Sequence, residues 1–193
     1  MQVTAAALRA DPARARHLAA LAMSAQPVFY EAFQAERGAL VNAVAAQLAE
    51  PGFDTELVFA LRRDDGADLA VITGLPLAAL ASAQMASTAA LLKLAAAPDR
   101  KAVMARLRSY SAGIEAIADD GHYVSRVGVA PESRGRGLAR RAMRDYVERL
   151  GARKVHLHVR CDNAPAIAVY RSLGYVARSP GAAYVFPAYT RAH

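Results

Sequence analysis

Val127-Gly128-Val129-Ala130-Pro131-Glu132-Ser133-Arg134-Gly135-Arg136-Gly137-Leu138-Ala139 is the stretch whose reading decides the fold. It begins in a strand that reads from Tyr123 to Val129, crosses a polar turn containing Pro131, and enters a helix at Leu138. Beyond Leu138, the residues Ala139, Ala142, Met143, Tyr146, Val147 and Leu150 fall on one helical face, with Arg140, Arg141, Arg144, Asp145, Glu148 and Arg149 opposite, and Gly151 stops the helix. A strand-to-helix turn leaves backbone N–H groups unpaired at the positive end of a helix dipole, where an anion fits. Gly135 and Gly137 remove side chains that would hold a pyrophosphate away from the backbone, and Arg134, Arg136 and Arg140 add charge around it. The alternative is an ordinary turn whose arginines sit in solvent. The Gly-Lys-Ser/Thr ending of a Walker loop is absent, and the third small residue of a dinucleotide fingerprint is misplaced.

Working outward, Val155 to Cys161 reads as the next strand, and a helical crossover between the two strands implies a parallel pair. Val155, Leu157, Val159 and Cys161 make an apolar face; His156, His158 and Arg160 make the other, which meets solvent or lines a polar cavity. Asn163 to Leu173 is a short helix: Asn163 caps it, Pro165 suits its first turn, Ala166, Tyr170 and Leu173 share a face, and Gly174 ends it. On spacing alone Tyr170 is a core tyrosine with a satisfied hydroxyl. Two more strand-like pieces lie between Tyr175 and Tyr189, around Pro180-Gly181. Upstream, Asp11-Pro12 opens a helical region reaching Glu50, broken at Gln26-Pro27 and Arg37-Gly38. Leu57 to Arg62 and Asp68 to Thr73 form an antiparallel hairpin around Arg63-Asp64-Asp65-Gly66. Leu77 to about Ala112 is Ala-rich and helical, interrupted at Pro98-Asp99, and reads as an insertion that covers a site or packs on a second subunit, so a homodimer is one expectation.

With 193 residues, 54% of them apolar, the chain is expected to be one domain: N-terminal helices over 1–55, a helical insertion over 75–118 and a core over 122–178. The net charge of +7 favours an anionic partner. Nucleic acid is not the expected one, because tryptophan is absent and the arginines do not alternate with aromatics; a phosphate-bearing cofactor uses the same charge. Met1-Gln2-Val3 opens no secretory signal, which places the protein in the cytoplasm. The apolar window from Leu75 to Leu92 is interrupted by Ser82, Gln84, Ser87 and Thr88, so no membrane span is expected. Cys161 is the sole cysteine, which excludes an intrachain disulfide, and it reads as a small buried hydrophobe. The histidines His17, His122, His156, His158 and His193 form no paired helical motif, so no metal is expected.

The run from Val127 to Ala139 resembles the acetyl-CoA-binding segment of GNAT acetyltransferases, Arg or Gln followed by x-x-Gly-x-Gly or Ala, with Arg134, Gly137 and Ala139 in those places. Asn163, Ala166, Tyr170, Gly174 and Tyr175 are similar to that family's second motif, and together the two cover residues 122 to 178. The resemblance implies an α/β fold with a mixed central sheet of six to seven strands, splayed between its two central parallel strands and flanked by helices. It implies acetyl-CoA as acyl donor, with Val127, Gly128 and Val129 offering backbone groups to the pantetheine arm and Arg134, Gly135, Arg136, Gly137, Leu138, Ala139 and Arg140 holding the pyrophosphate. Asn163, Ala166 and Tyr170 complete the cofactor side, Tyr170 also donating a proton to the departing sulfur. The acceptor is a primary amine that attacks directly in a ternary complex. An amine with a reference pKa of about 8 to 10 must first lose a proton. Relatives often carry a glutamate for this on a central strand; here Ser125 and Arg126 occupy the first and His158 the second. His158 takes the proton directly or through water, or is a structural histidine. A module that binds acyl-CoA without catalysis is the alternative function. Acceptor choice is assigned to the segments from Pro27 to Phe53 and from Leu75 to Gly121.

Overall fold

The computed structural model describes residues 1–151, 154–180 and 185–192. In chain order the elements are β1 (Gln2–Val3), α1 (Ala5–Ala10), α2 (Pro12–Met23), α3 (Pro27–Glu31), α4 (Arg37–Leu48), β2 (Leu57–Arg62), β3 (Asp68–Pro76), α5 (Leu80–Leu92), α6 (Arg100–Ala112), β4 (His122–Val129), α7 (Leu138–Leu150), β5 (Lys154–His158), α8 (Ala164–Ser172), β6 (Val176–Ala177) and β7 (Ala188–Ala192). The strands form one sheet in the order β1-β2-β3-β4-β5-β7-β6. Every pairing is antiparallel except β4 with β5, which is parallel as its helical crossover requires.

Alternation along the strands distributes the core. Val58, Ala60 and Val71 point to the side carrying α1, α2 and α4, whereas Phe59, Leu61, Ala70 and Ile72 point to the side carrying α7 and α8. α7 buries Ala142, Met143, Tyr146 and Val147 and ends at Gly151 in a left-handed conformation, as its spacing predicts. The Asp11 carboxylate caps α2, accepting from the Arg14 amide, and the Asn163 side chain caps α8, accepting from the Ala166 amide.

Four expectations are corrected. Arg37-Gly38 is not a break but the first turn of α4, because the Glu36 carboxylate accepts from the Ala39 amide at 2.8 Å and caps the helix there. The second strand of the hairpin continues past Thr73 to Pro76, since β4 supplies partners for Gly74, Leu75 and Pro76. β5 ends at His158, and Cys161 is exposed, not a buried hydrophobe. Of the turn read at Pro180-Gly181, Gly181 lies outside the described residues, as does His193.

The sheet is open at its centre. β4 and β5 pair only over His122–Val124 and Val155–Leu157, while β4 keeps its pairing with β3 as far as Val129. One residue of β4, Ser125, has no partner in the β3 register, which jumps from Thr73↔Arg126 to Gly74↔Val124; this bulge sits where the two strands begin to part.

Candidate active site

A cavity of about 970 Å3 enters this gap. One wall is β4 with the turn that follows it, contributing Val127, Val129, Arg134, Gly135, Leu138 and Ala139. The facing wall is the end of β5 and α8, contributing His158, Arg160, Asn163, Ala166 and Tyr170. The far compartment is closed by Phe29 of α3, by α5 and by α6 with the residues that follow it. Of the residues assigned from sequence to the cofactor, Gly128, Arg136, Gly137 and Arg140 do not line this cavity.

For Gly128 the structure gives another reason: an added Cβ would lie 2.0 Å from the Leu21 carbonyl oxygen, so this glycine lets β4 pass against the backbone of α2. Gly137 is the N-cap of α7 at φ 74°, and Gly135 precedes it at φ 75°, with open space where each side chain would be. No side chain caps α7. Its first intrahelical bond runs from Arg141 N–H to the Gly137 carbonyl, so the amides of Leu138, Ala139 and Arg140 have no partner within the helix. Such a cradle, with Arg134 at its side, fits a diphosphate. Along β4, Ala130 N–H bonds the Leu69 carbonyl of the β3 side. By strand alternation, Val127 and Val129 then turn their N–H and C=O groups into the gap, where β5 no longer meets them.

Tyr170, 8% exposed, lies at the centre of α8's inward face with its ring 5.9 Å from that of Tyr175. Burial pushes its phenol above the usual range, and no hydrogen bond or neighbouring charge contributes. It therefore stays protonated at any physiological pH while lining the cavity.

His158 also lines the cavity, but both ring nitrogens are engaged. Nε2 is 2.7 Å from the Glu115 carbonyl, an acceptor only, so the proton of the neutral ring sits on Nε2; Nδ1 then accepts from the Tyr123 hydroxyl at 2.9 Å. Burial lowers the imidazole below its ordinary range, against a smaller upward pull from Glu115. Burial likewise raises the Tyr123 phenol. The polar face of β5 and of the residues just after it is thus divided. His158 and Arg160 line the cavity, whereas His156 is fully buried between Thr190 Oγ1 at 2.9 Å and the Asp120 carbonyl at 2.8 Å.

Sequence reasoning missed a second polar group on the cavity wall. The buried side chains of Asp54 and Arg126 form an ion pair at 2.8 Å, and Arg126 Nε donates to the Tyr30 hydroxyl at 2.8 Å. Burial alone would lower the Arg126 pKa, but Asp54 and Tyr30 more than reverse it. Ser87 donates to the other Asp54 oxygen at 2.7 Å, and Ser125, the bulged residue, donates to the Asp54 carbonyl. Glu115 was missed as well. It is 4% exposed, accepts from Ser179 Oγ and the Ala188 amide, and its backbone holds His158. The available signal was a lone carboxylate between Ile114 and Ile117 in an otherwise apolar run.

Among the described residues no group of His, Cys, Asp and Glu side chains is placed to hold a metal ion, and no helix is long and apolar enough to cross a membrane.

The model of the acetyltransferase (GNAT) family matches residues 88–175. A mycothiol acetyltransferase of Renibacterium salmoninarum is 31% identical over 91 residues, 46% of this chain and 26% of that protein. The N-alpha-acetyltransferase RimI of Mycobacterium tuberculosis is 42% identical over 52 residues, 27% of this chain and 33% of that protein. The similarity thus spans about a quarter to a third of the length of these curated relatives. A solved structure from Corynebacterium glutamicum, described as histone acetyltransferase HPA2 and related acetyltransferase, superposes with a TM-score of 0.63 at 16% identity. It covers 100% of this chain and 94% of that one, a likeness of fold.

Proposed function

We propose, from the match of residues 88–175 to the acetyltransferase (GNAT) family model, that this chain is a member of that family and transfers an acetyl group from acetyl-CoA to a primary amine by direct attack. The observation that carries this reading is the single cavity that joins the amide cradle after β4, the open edge of β4 and the Tyr170 phenol. The two curated relatives bear names that point to different acceptors, so acetyl transfer is what their names share.

Acetyl-CoA supplies a thioester, whose acyl carbon forms a bond to nitrogen as its bond to sulfur breaks; from the ammonium form two protons leave nitrogen, one reaching sulfur and one leaving through Tyr123 and His158 to solvent. The amides of Leu138, Ala139 and Arg140, with Arg134, hold the diphosphate. The inward N–H groups of Val127 and Val129 are placed to bond the pantetheine arm and the thioester oxygen, where charge develops. Tyr170 donates a hydrogen bond to the sulfur. A phenol raised above 10 does not fully acidify against a thiol of reference pKa about 8.5, so Tyr170 hands on a proton only as it regains one from the nitrogen side. On that side, Tyr123 passes its proton to His158 Nδ1 while accepting one from the amine or an intervening water. His158 then acts through Tyr123, not by touching the amine.

A second reading, a module that binds acyl-CoA without turnover, is favoured by one observation: the one carboxylate on the described cavity wall, Asp54, is committed to Arg126. Calorimetry with CoA and thiol release with a panel of amines decide between them. Micromolar CoA binding with amine-dependent thiol release is expected. Binding without release establishes the second reading, and no binding removes both.

A further inference from the structure

The acceptor compartment is apolar and balanced in charge. Its walls carry a run of touching aromatic rings, Phe29 against Tyr110 at 5.7 Å and Tyr110 against Phe186 at 4.7 Å between centroids. Leu92, Met104 and Ile114 continue that surface, and a second cavity of about 460 Å3 adjoins it, sharing Phe29 and Met104. At the cavity's edge two large apolar side chains stand in solvent, Val28 at 43% and Met85 at 72% exposure, and both line the cavity.

The charged groups of this compartment cancel. Arg126 is paired with Asp54, and Arg160 is held by Asp162 through two bonds of 2.9 and 2.5 Å. Among the described residues of the first cavity's acceptor wall, the remaining polar side chains, such as Gln84, Thr88 and Ser111, are neutral, and the adjoining cavity adds one cation, the exposed Arg108. A second ammonium on the acceptor would find no unpaired carboxylate there, and an acceptor carboxylate within the first cavity would find no unpaired cation. Either would leave water uncompensated, a cost that apolar contact does not offset. The donor side is the opposite, with Arg134 beside free amides.

Resting on the acetyl-transfer reading, we infer that the acceptor is a monoamine on an aryl or long alkyl body, with no second charge within reach of the compartment. Polyamines, free amino acids and lysine-rich peptides are thereby the wrong class. The aromatic run receives the body, and the amine points back toward Tyr123 and the gap between β4 and β5.

The test measures binding and turnover separately. Calorimetry on the CoA-loaded protein compares 2-phenylethylamine with cadaverine, phenylalanine and ethylamine; 2-phenylethylamine is expected to bind at least tenfold more tightly than each. Cadaverine, phenylalanine or ethylamine binding as well as 2-phenylethylamine overturns the inference, and so does failure of 2-phenylethylamine to bind. Thiol release with the same amines reports on the transfer reading alone: tight binding of 2-phenylethylamine without release sinks transfer and leaves the preference standing. A variant sharpens the result. Ala89→Asp, on the exposed cavity side of α5, places an unpaired carboxylate in the compartment and is expected to narrow the gap between 2-phenylethylamine and cadaverine at least threefold. An unchanged ratio in a folded Ala89→Asp protein overturns the account of charge balance.

Discussion

The two ends of the cavity are built by opposite means. At the donor end the ligand-facing groups are mostly main chain: amides at the start of α7, the edge of β4 that β5 leaves, and a glycine held at positive φ. At the acceptor end they are side chains from α3, α5 and α6, fixed by ring contacts and by one buried ion pair. Main-chain groups are aimed by the fold, so a substitution disturbs them only by bending the chain. Side-chain groups are aimed by their neighbours, so one substitution there changes what the wall is made of. The donor end should resist mutation in kind and the acceptor end should yield to it.

The largest expected effect tests the ion pair. Asp54→Asn keeps the shape of the side chain but leaves Arg126 buried and uncompensated, and removing one partner of such a pair costs about 3–5 kcal/mol. Urea unfolding should show that loss. Because the penalty lies in the orphaned charge, the double variant Asp54→Leu/Arg126→Met should recover most of it. A single variant within about 1 kcal/mol of the wild type would mean that water in the cavity screens Arg126, and that the acceptor wall is less dry than its lining suggests.

Tyr170→Phe comes next and addresses the junction of the two ends. Removing one hydroxyl from a buried ring costs little packing, so the fold and the CoA affinity should hold. Turnover should fall by roughly 10² or more, the range of positioned proton donors. Steady-state thiol release with CoA calorimetry on the same protein separates these quantities. Unchanged kcat removes Tyr170 from the chemistry and returns it to the core role its spacing alone suggests.

The contrast between the ends also sets what the sequence could disclose. β4, the glycine turn, α7 and α8 were legible because each main-chain device demands a residue type: glycine where φ is positive, Asn163 at a cap, an apolar stripe on α7. Even so, Gly128 fits a motif position while the space around it answers to Leu21. The acceptor wall was not legible, since Phe29, Met104 and Tyr110 are ordinary core-type residues whose convergence on one cavity is set by how α3, α5 and α6 pack. His158 was visible as a polar residue on a strand face that meets solvent or lines a cavity. Its engagement by Tyr123 and the Glu115 carbonyl was not, because the latter contact joins positions 43 apart in sequence with no periodicity to mark it.

The smallest expected effect distinguishes two glycines that a motif treats alike. Gly135 and Gly137 both sit near φ 75°, a conformation that costs an L-residue about 1–2 kcal/mol. They differ in what holds them there. The Gly137 carbonyl accepts the first bond of α7 at 3.0 Å, so the folded chain enforces its geometry whether or not a ligand is present. Gly135 lines the cavity and is tied by no such bond, so its neighbourhood is free to relax when the cavity is empty. The same methyl group should therefore register in different measurements. Gly137→Ala should lose about 1–2 kcal/mol of unfolding free energy with CoA affinity changed less than about threefold. Gly135→Ala should unfold nearly as the wild type does but bind CoA about fivefold to tenfold more weakly, as the strain is then incurred on binding. Loss of stability in both variants, with affinity intact, would mean that the whole turn is rigid before the ligand arrives, and that the donor end is preformed up to its rim.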